Sequence, residues 1–240
     1  MANIAFKLNY CDGGKRNNRR AGFYGICERG TIEYNIKTKK RLWCSDDSCD
    51  CKQYYNSIKN CTDRKTINKA YNELKSCWES EVNGLAPCYE SCALRDWRIA
   101  AGSDLKSGKP RRISQLDDLL GKLCILTAER PYMSERLIFA MFIIGYTNRE
   151  EDYPDEIFAD ENYCLEFYSD EWHKADFWSI HTNSDSTDQN WSSGLFRYFD
   201  DFEAVQFLKM AIDIKSGTDE TNLAEQFLKH YCQINNIDVR

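Results

Sequence analysis

The 240-residue chain carries 32 Lys+Arg against 38 Asp+Glu, a net charge of −6, with 42% hydrophobic and 13% aromatic residues. That apolar content supports one large folded domain or two small ones and excludes a wholly disordered chain. No run approaches the ~18 consecutive apolar residues of a membrane span. The start MANIAFKLNY lacks a leader-like apolar core, so a cytoplasmic, membrane-free setting with reduced thiols is expected.

The net charge hides a division. Residues 1–125 hold 23 Lys+Arg and 15 Asp+Glu, whereas residues 126–240 hold 9 and 23; residues 1–44 alone hold ten basic and three acidic groups. Such asymmetry points to one end that faces a polyanion and one solvated acidic end, or to attraction between the halves.

In chain order, GGKRNNRR (Gly13–Arg20) reads as a glycine-led basic turn or loop. Ala21–Gly30 and Thr31–Lys37 alternate like two strands meeting in a hairpin near Arg29–Gly30. TKKRLWC then leads into a cysteine cluster. From Thr66 to Val82 the apolar residues Ile67, Ala70, Tyr71, Leu74, Trp78 and Val82 recur at spacings of three and four, which predicts an amphipathic helix stopped at Asn83–Gly84. CYESCALRDWRIAAGS predicts a short helix or turn and a glycine-containing loop, and Ser103–Arg112 a basic loop. LCILTAE (Leu123–Glu129) and ERLIFAMFIIGY (Glu135–Tyr146) read as strands, the second buried on both faces. Arg149–Glu161 reads as an acidic surface loop, YCLEFYS as a further strand, and the stretch from Trp172 to Gly194 as a polar loop studded with rings. Asp200 and Glu203 form a capping box that starts a helix reaching about Ile214. Gly217–Thr218 separates it from a last helix bearing Leu223, Phe227, Leu228 and Tyr231.

Three segments follow: residues 1–62 as a basic, cysteine-rich metal-binding β-hairpin module, 63–85 as a connecting helix, and 86–240 as an α+β domain with C-terminal helices. In the first, Cys44, Cys49 and Cys51 follow C-x4-C-x-C, with Cys27 upstream, so these four are the candidate ligands of a tetrahedral zinc, or of an iron–sulfur cluster as the alternative. Cys11 and Cys61 are possible substitutes. A polar segment of this size gains about 10 kcal/mol of folding free energy from such a metal. Cys77, Cys124 and Cys164 read as packing residues, and Cys88 with Cys92 as ordinary thiols one helical turn apart.

No catalytic residues are assigned. The chain has three histidines, His173, His181 and His230, and no H-E-x-x-H, P-loop, G-x-S-x-G or deaminase pattern. A metal-dependent nuclease or hydrolase is the rival to a binding role, although no E-x-K follows Pro154–Asp155 on a strand. A protein-interaction subunit of a larger defence complex is the third reading.

Binding has more support. Lys15, Arg16, Arg19, Arg20, Lys39, Lys40 and Arg41 are the candidate phosphate contacts of the first segment, with Lys106, Lys109, Arg111 and Arg112 in the second. Reading a flipped base needs rings and hydrogen-bonding groups in one pocket. Tyr89, Trp97, Arg98 and Ser103, facing Trp178, His181, Asn183 and Trp191, supply those types. DNA or RNA is the expected partner.

Over about residues 86–215 the sequence resembles the PUA-like superfamily, which includes EVE, ASCH and YTH domains. The resemblance lies in DWRIAAGS, the strands LCILTAE and ERLIFAMFIIGY, and WSSGLFRYFDD before a helix. It implies a small β-barrel with flanking helices whose aromatic pocket takes a modified base, in EVE-like members often in bacterial modification-dependent restriction. The cysteine-rich segment lies outside that pattern.

Overall fold

The computed structural model describes the chain except residues 1, 17–18, 21, 41–43, 45–46, 48, 81–88, 105–106, 134, 182–190, 192–193 and 239–240, and gives the backbone alone at 15–16, 19–20, 78–80, 89 and 91–92. Arg41, Cys88, Lys106 and Asn183 therefore lie outside the described residues, as do the side chains of Tyr89 and Cys92. The fold is mixed α+β and divides into two units, Met1–Leu8 with Trp97–Arg240, and Asn9–Asp96.

The larger unit is built on a six-stranded sheet curled into a half-barrel. Its strands are β1 (Asn3–Leu8), β4 (Arg98–Ala100), β5 (Leu123–Glu129), β6 (Arg136–Asn148), β7 (Glu156–Glu166) and β8 (Phe196–Phe199), in the order β4-β7-β6-β5-β1-β8. Sequence reading finds β5 and β6 because their apolar runs are long. Leu123–Ala128 and Leu137–Ile144 are indeed buried throughout, as expected for strands covered on both faces. It misses β1, whose six residues are too few to show a period. β1 pairs in parallel with β5, Ile4 opposite Cys124, and antiparallel with β8, Asn3 opposite Phe199. A parallel pair requires a crossover, and here the crossing chain contains the whole Asn9–Asp96 unit.

The acidic stretch is only partly a loop, since β7 begins at Glu156 and runs through DEN to Glu166. Two register shifts on β6, between Phe142 and Ile144 and between Ile144 and Tyr146, bend the sheet there. Gly145 permits the bend: a Cβ on it would lie 2.9 Å from the Asp160 backbone.

Helices α5 (Asp201–Lys215) and α6 (Thr221–Ile234) follow β8. The capping box at Asp200 is formed, with Glu203 N–H donating to Asp200 Oδ1 and Asp200 N–H donating to Glu203 Oε2. A buried polar network ties both helices to the sheet. Asp201 accepts from Lys122 Nζ at 2.8 Å, Tyr231 Oη at 2.8 Å and Asn3 Nδ2 at 3.0 Å, while Asn3 Oδ1 accepts from Leu123 N–H. Burial opposes ionisation of Asp201, but these three donors hold its carboxyl below the ordinary range. The fully buried Lys215 is neutralised by Glu171 at 2.8 Å and Glu220 at 2.7 Å.

The Asn9–Asp96 unit contains a short ladder β2 (Lys15–Arg16) with β3 (Arg19–Arg20), and helices α1 (Arg29–Glu33), α2 (Asp50–Ile58), α3 (Arg64–Ser80) and α4 (Tyr89–Arg95). The hairpin expected around Arg29–Gly30 is a helix instead. α1 runs on as one π-helical stretch over Tyr34–Thr38, closed by Lys39 N–H to Tyr34 C=O at 3.1 Å. The alternation Ile32, Tyr34, Ile36 imitates a strand, but a partner distant in sequence decides the matter. Asp12 accepts from Glu28 N–H at 2.9 Å and from Thr31 Oγ1 at 2.8 Å, which seeds the first turn. The helix expected at Thr66–Val82 is present as α3, capped by Asp63, which accepts from the Lys65 and Thr66 N–H groups.

Candidate nucleic-acid interface

The basic segment is a hairpin, not an open loop. Its register sets Lys15 opposite Arg20 and Arg16 opposite Arg19, so cationic residues occupy both positions of both pairs. Like charges directly across a ladder repel, and an anion lying along them relieves the repulsion. The base of this hairpin is fixed by backbone. Gly13 C=O accepts from Tyr24 N–H at 3.2 Å, and a Cβ on Gly13 would fall 2.0 Å from the Ile26 carbonyl oxygen. The two glycines that read as turn formers therefore serve a close approach between arms, with Gly14 also at φ +89°.

Further along, Lys39 is half-buried with its ammonium 6.0 Å from the Tyr34 ring centre, and Lys40 is exposed with φ +48°. By whole-sequence count the Asn9–Asp96 unit carries 16 Lys+Arg against 12 Asp+Glu, and the sheet unit 16 against 26. The division of charge thus follows the division of structure in part: the Asn9–Asp96 unit is net basic, while residues 97–125, also net basic, belong to the sheet unit.

The four expected metal ligands are not gathered. Among the described residues no group of three or more His, Cys, Asp or Glu side chains is placed to hold an ion. Cys49 and Cys51 do meet. Cys49 precedes α2 as its N-cap residue, where the neighbouring Cys51 thiol and the first-turn N–H groups of Lys52 and Cys51 favour its thiolate. Together these push its pKa down to about 6 against the opposing effect of burial. Cys27 is buried where its carbonyl accepts from Tyr71 Oη at 3.1 Å, and Cys44 is half-buried. The proposed substitutes have their own contacts, Cys11 Sγ with Gly25 C=O at 3.3 Å and Cys61 Sγ with Asp63 C=O at 3.7 Å.

In the sheet unit the predicted rings separate into two places. Trp97, at φ +45°, stands before the edge strand β4 and meets Phe142 edge-on at 6.1 Å. Its neighbour Arg98 is exposed and lies 3.9 Å from Glu156. Trp178, His181 and Trp191 do come together, around Phe177. The indoles of Trp178 and Trp191 lie 6.1 Å apart at 66°, and each is about 5% exposed or less. That edge-to-face contact leaves no slot of base thickness between them. Of the stretch expected as a polar loop, the described rings Trp172, Phe177, Trp178 and Trp191 are buried, the first three carried by two short 3₁₀ turns, Trp172–Lys174 and Phe177–Ser179. His181 Nδ1 is 2.9 Å from Glu203 Oε1, which joins it to the capping box.

Sequence reasoning misses two arginines here. The Arg136 guanidinium lies 4.6 Å from the Trp191 ring centre, and Arg197 lies 5.5 and 5.6 Å from Trp178 and Trp191. Burial lowers the pKa of Arg197. The available signal was a charge at the start of an apolar strand (Arg136) and another amid FRYF.

The described backbone of this unit's basic loop is tied internally, and so is the Arg112 side chain. Ser103 bridges to Pro110, and Arg111 N–H donates to Gly102 C=O at 2.9 Å. Arg112 donates to the carbonyls of Glu150, Glu151 and Tyr153 and to Asp155 Oδ1 at 3.0 Å. Asp155, fully buried, also accepts from Arg149 and from Ile113 N–H. Arg112 thus clamps the acidic turn rather than presenting its guanidinium to a ligand. No described helix is long and apolar enough to cross a membrane. Compared with family models, curated proteins and solved structures, the chain matches none.

Proposed function

We propose that the protein binds nucleic acid, gripping the phosphate backbone with the Asn9–Asp96 unit. One observation carries the reading: a two-stranded ladder whose four paired positions are Lys15, Arg16, Arg19 and Arg20, held at its base by Gly13 and Gly14. Four cationic residues in mutual register repel one another, and phosphates lying along them relieve that repulsion. The acidic sheet unit is the scaffold in this reading, with Trp178 and Trp191 acting as core. A PUA-like identity for that unit is part of the proposal. Its support is the curled sheet with DWRIAAGS leading into one edge strand and GLFRYF forming the other.

The test is fluorescence anisotropy with labelled 20-nucleotide DNA and RNA, single- and double-stranded, across a salt series. Binding is expected to weaken steeply with salt. Replacing Lys15, Arg16, Arg19 and Arg20 together by Gln is expected to reduce the slope of log K against log salt by about 3 to 4, at roughly 0.7 to 0.9 per phosphate contact. Absence of binding to every probe at low salt overturns the reading.

A further inference from the structure

We propose that the solvent face of α3 enters the major groove of B-form DNA; this rests on the nucleic-acid reading and names its partner. α3 has 17 residues, so it extends about 25 Å at 1.5 Å per residue. One face is used inside its own unit. Leu74 is buried, Ile67 and Ala70 are half-buried, Tyr71 packs against Tyr54 of α2 at 5.8 Å, and the Tyr71 hydroxyl donates to Cys27 C=O. The opposite face presents Lys65, Asn68, Lys69, Asn72, Glu73 and Ser76, all exposed. These recur at three and four residues, forming one continuous stripe of cations and amides. Arg64 adds a charge at the same end of the helix. Arg29 of α1 reaches the stripe from outside, its Nη1 donating to Asn68 Oδ1 at 2.8 Å. Among the described side chains the face also contains one carboxylate, Glu73, 3.8 Å from Lys69, and Asp63 caps the helix start; by helical spacing Glu79 falls on this face as well.

Charge and shape select the occupant. Flexible lysines bracketing carboxamides suit phosphates on either side of exposed base edges, because Asn can pair in a bidentate way with the adenine N6 and N7 positions. An α-helix with its side chains is about as wide as the B-DNA major groove, whereas the deep, narrow major groove of an RNA duplex does not admit one. Asn72 projects from the middle of the stripe and is the residue assigned to a base edge. Asn68, held by Arg29, borders it.

The experiment measures the full chain and two variants, Lys65→Gln/Lys69→Gln and Asn72→Ala, against a DNA duplex, an RNA duplex and single-stranded DNA of one sequence set. Circular dichroism checks that the variants fold, which exposed substitutions on a capped helix should allow. The double lysine variant is expected to lose at least fivefold in affinity for duplex DNA at 0.15 M salt, with the salt slope reduced by about 2. Its affinity for RNA duplex is expected to stay within twofold. After selection from a random 20-base-pair DNA pool, the wild type is expected to enrich an adenine-containing site, and Asn72→Ala to lose that enrichment. Wild-type binding that is unaffected by either variant overturns this inference and leaves the nucleic-acid reading standing. Equal loss on DNA and RNA duplexes also overturns it, by reducing α3 to a nonspecific cation patch. A wild type that binds no probe removes both.

Discussion

The two units solve the folding problem by different means. Of the twelve largest fully buried side chains among the described residues, only Phe23 and Leu94 belong to the Asn9–Asp96 unit. The sheet unit is held by area removed from water, at roughly 25 cal/mol per Å². The basic unit relies more on individual polar contacts: Asp12 on α1, Asp63 on α3, the glycine approach at the hairpin base, and Asn9 Nδ2 donating to the buried Glu90 at 2.6 Å. A surface full of cations leaves less of the chain for an apolar core. Where the basic residues are concentrated, directional bonds take over from packing.

Substitutions can break that contrast at either end. The largest effect is expected from Phe142→Ala, which removes a fully buried ring in the middle of β6 and should cost about 3 to 5 kcal/mol in chemical denaturation. A cost under 1 kcal/mol would show that the sheet unit is not stabilised by packing.

Asp155→Asn comes next, at about 2 kcal/mol, because it weakens charged hydrogen bonds from two partly exposed arginines to a buried acceptor. It should also change the acid limb. Burial pushes the Asp155 carboxyl up, but bonds from Arg149, Ile113 N–H and Arg112 outweigh it and leave the pKa depressed. A group depressed on folding stabilises the protein above its unfolded pKa, near 3.9, and loses that contribution as pH falls through the folded value. The variant's stability should therefore fall less than the wild type's below about pH 4.

Asp12→Ala is expected to cost about 1 kcal/mol and to act on the basic unit alone, since it removes the contacts that seed α1. Hydrogen exchange across Arg29–Thr38 would register it, and unchanged protection there would refute the assignment. The smallest effect is kinetic. At pH 6, Cys49 should be alkylated on the order of tenfold faster than an ordinary peptide thiol, because more of it is thiolate. Peptide mapping after brief iodoacetamide treatment measures this.

Legibility in the sequence tracked how local the deciding interaction is. The capping box at Asp200–Glu203, α3, and strands β5 and β6 are all decided by residues within a few positions of one another, and each is readable. α1 is not, because Asp12 and the Tyr10 carbonyl, which accepts from Asn35 Nδ2, lie far up the chain. Nor is the burial of Trp178 and Trp191, whose polar neighbours in sequence conceal the arginines and phenylalanines they meet in space. The basic residues were legible as candidate contacts. Which of them are engaged internally, as Arg112 is, depends on an acidic turn some forty residues away.

The parallel pairing of β1 with β5 also bears on synthesis. β1 leaves the ribosome before both strands it pairs with, Cys124–Ala128 on one side and Phe196–Phe199 on the other. During translation the edges of Ile4–Leu8 remain unmatched until more than a hundred further residues have emerged, by which point the complete Asn9–Asp96 unit is available to fold. Closing so long a loop is entropically costly and slow. The nascent apolar segment IAF thus stays unpaired over that interval, and the basic unit is able to reach its final form before the sheet unit is.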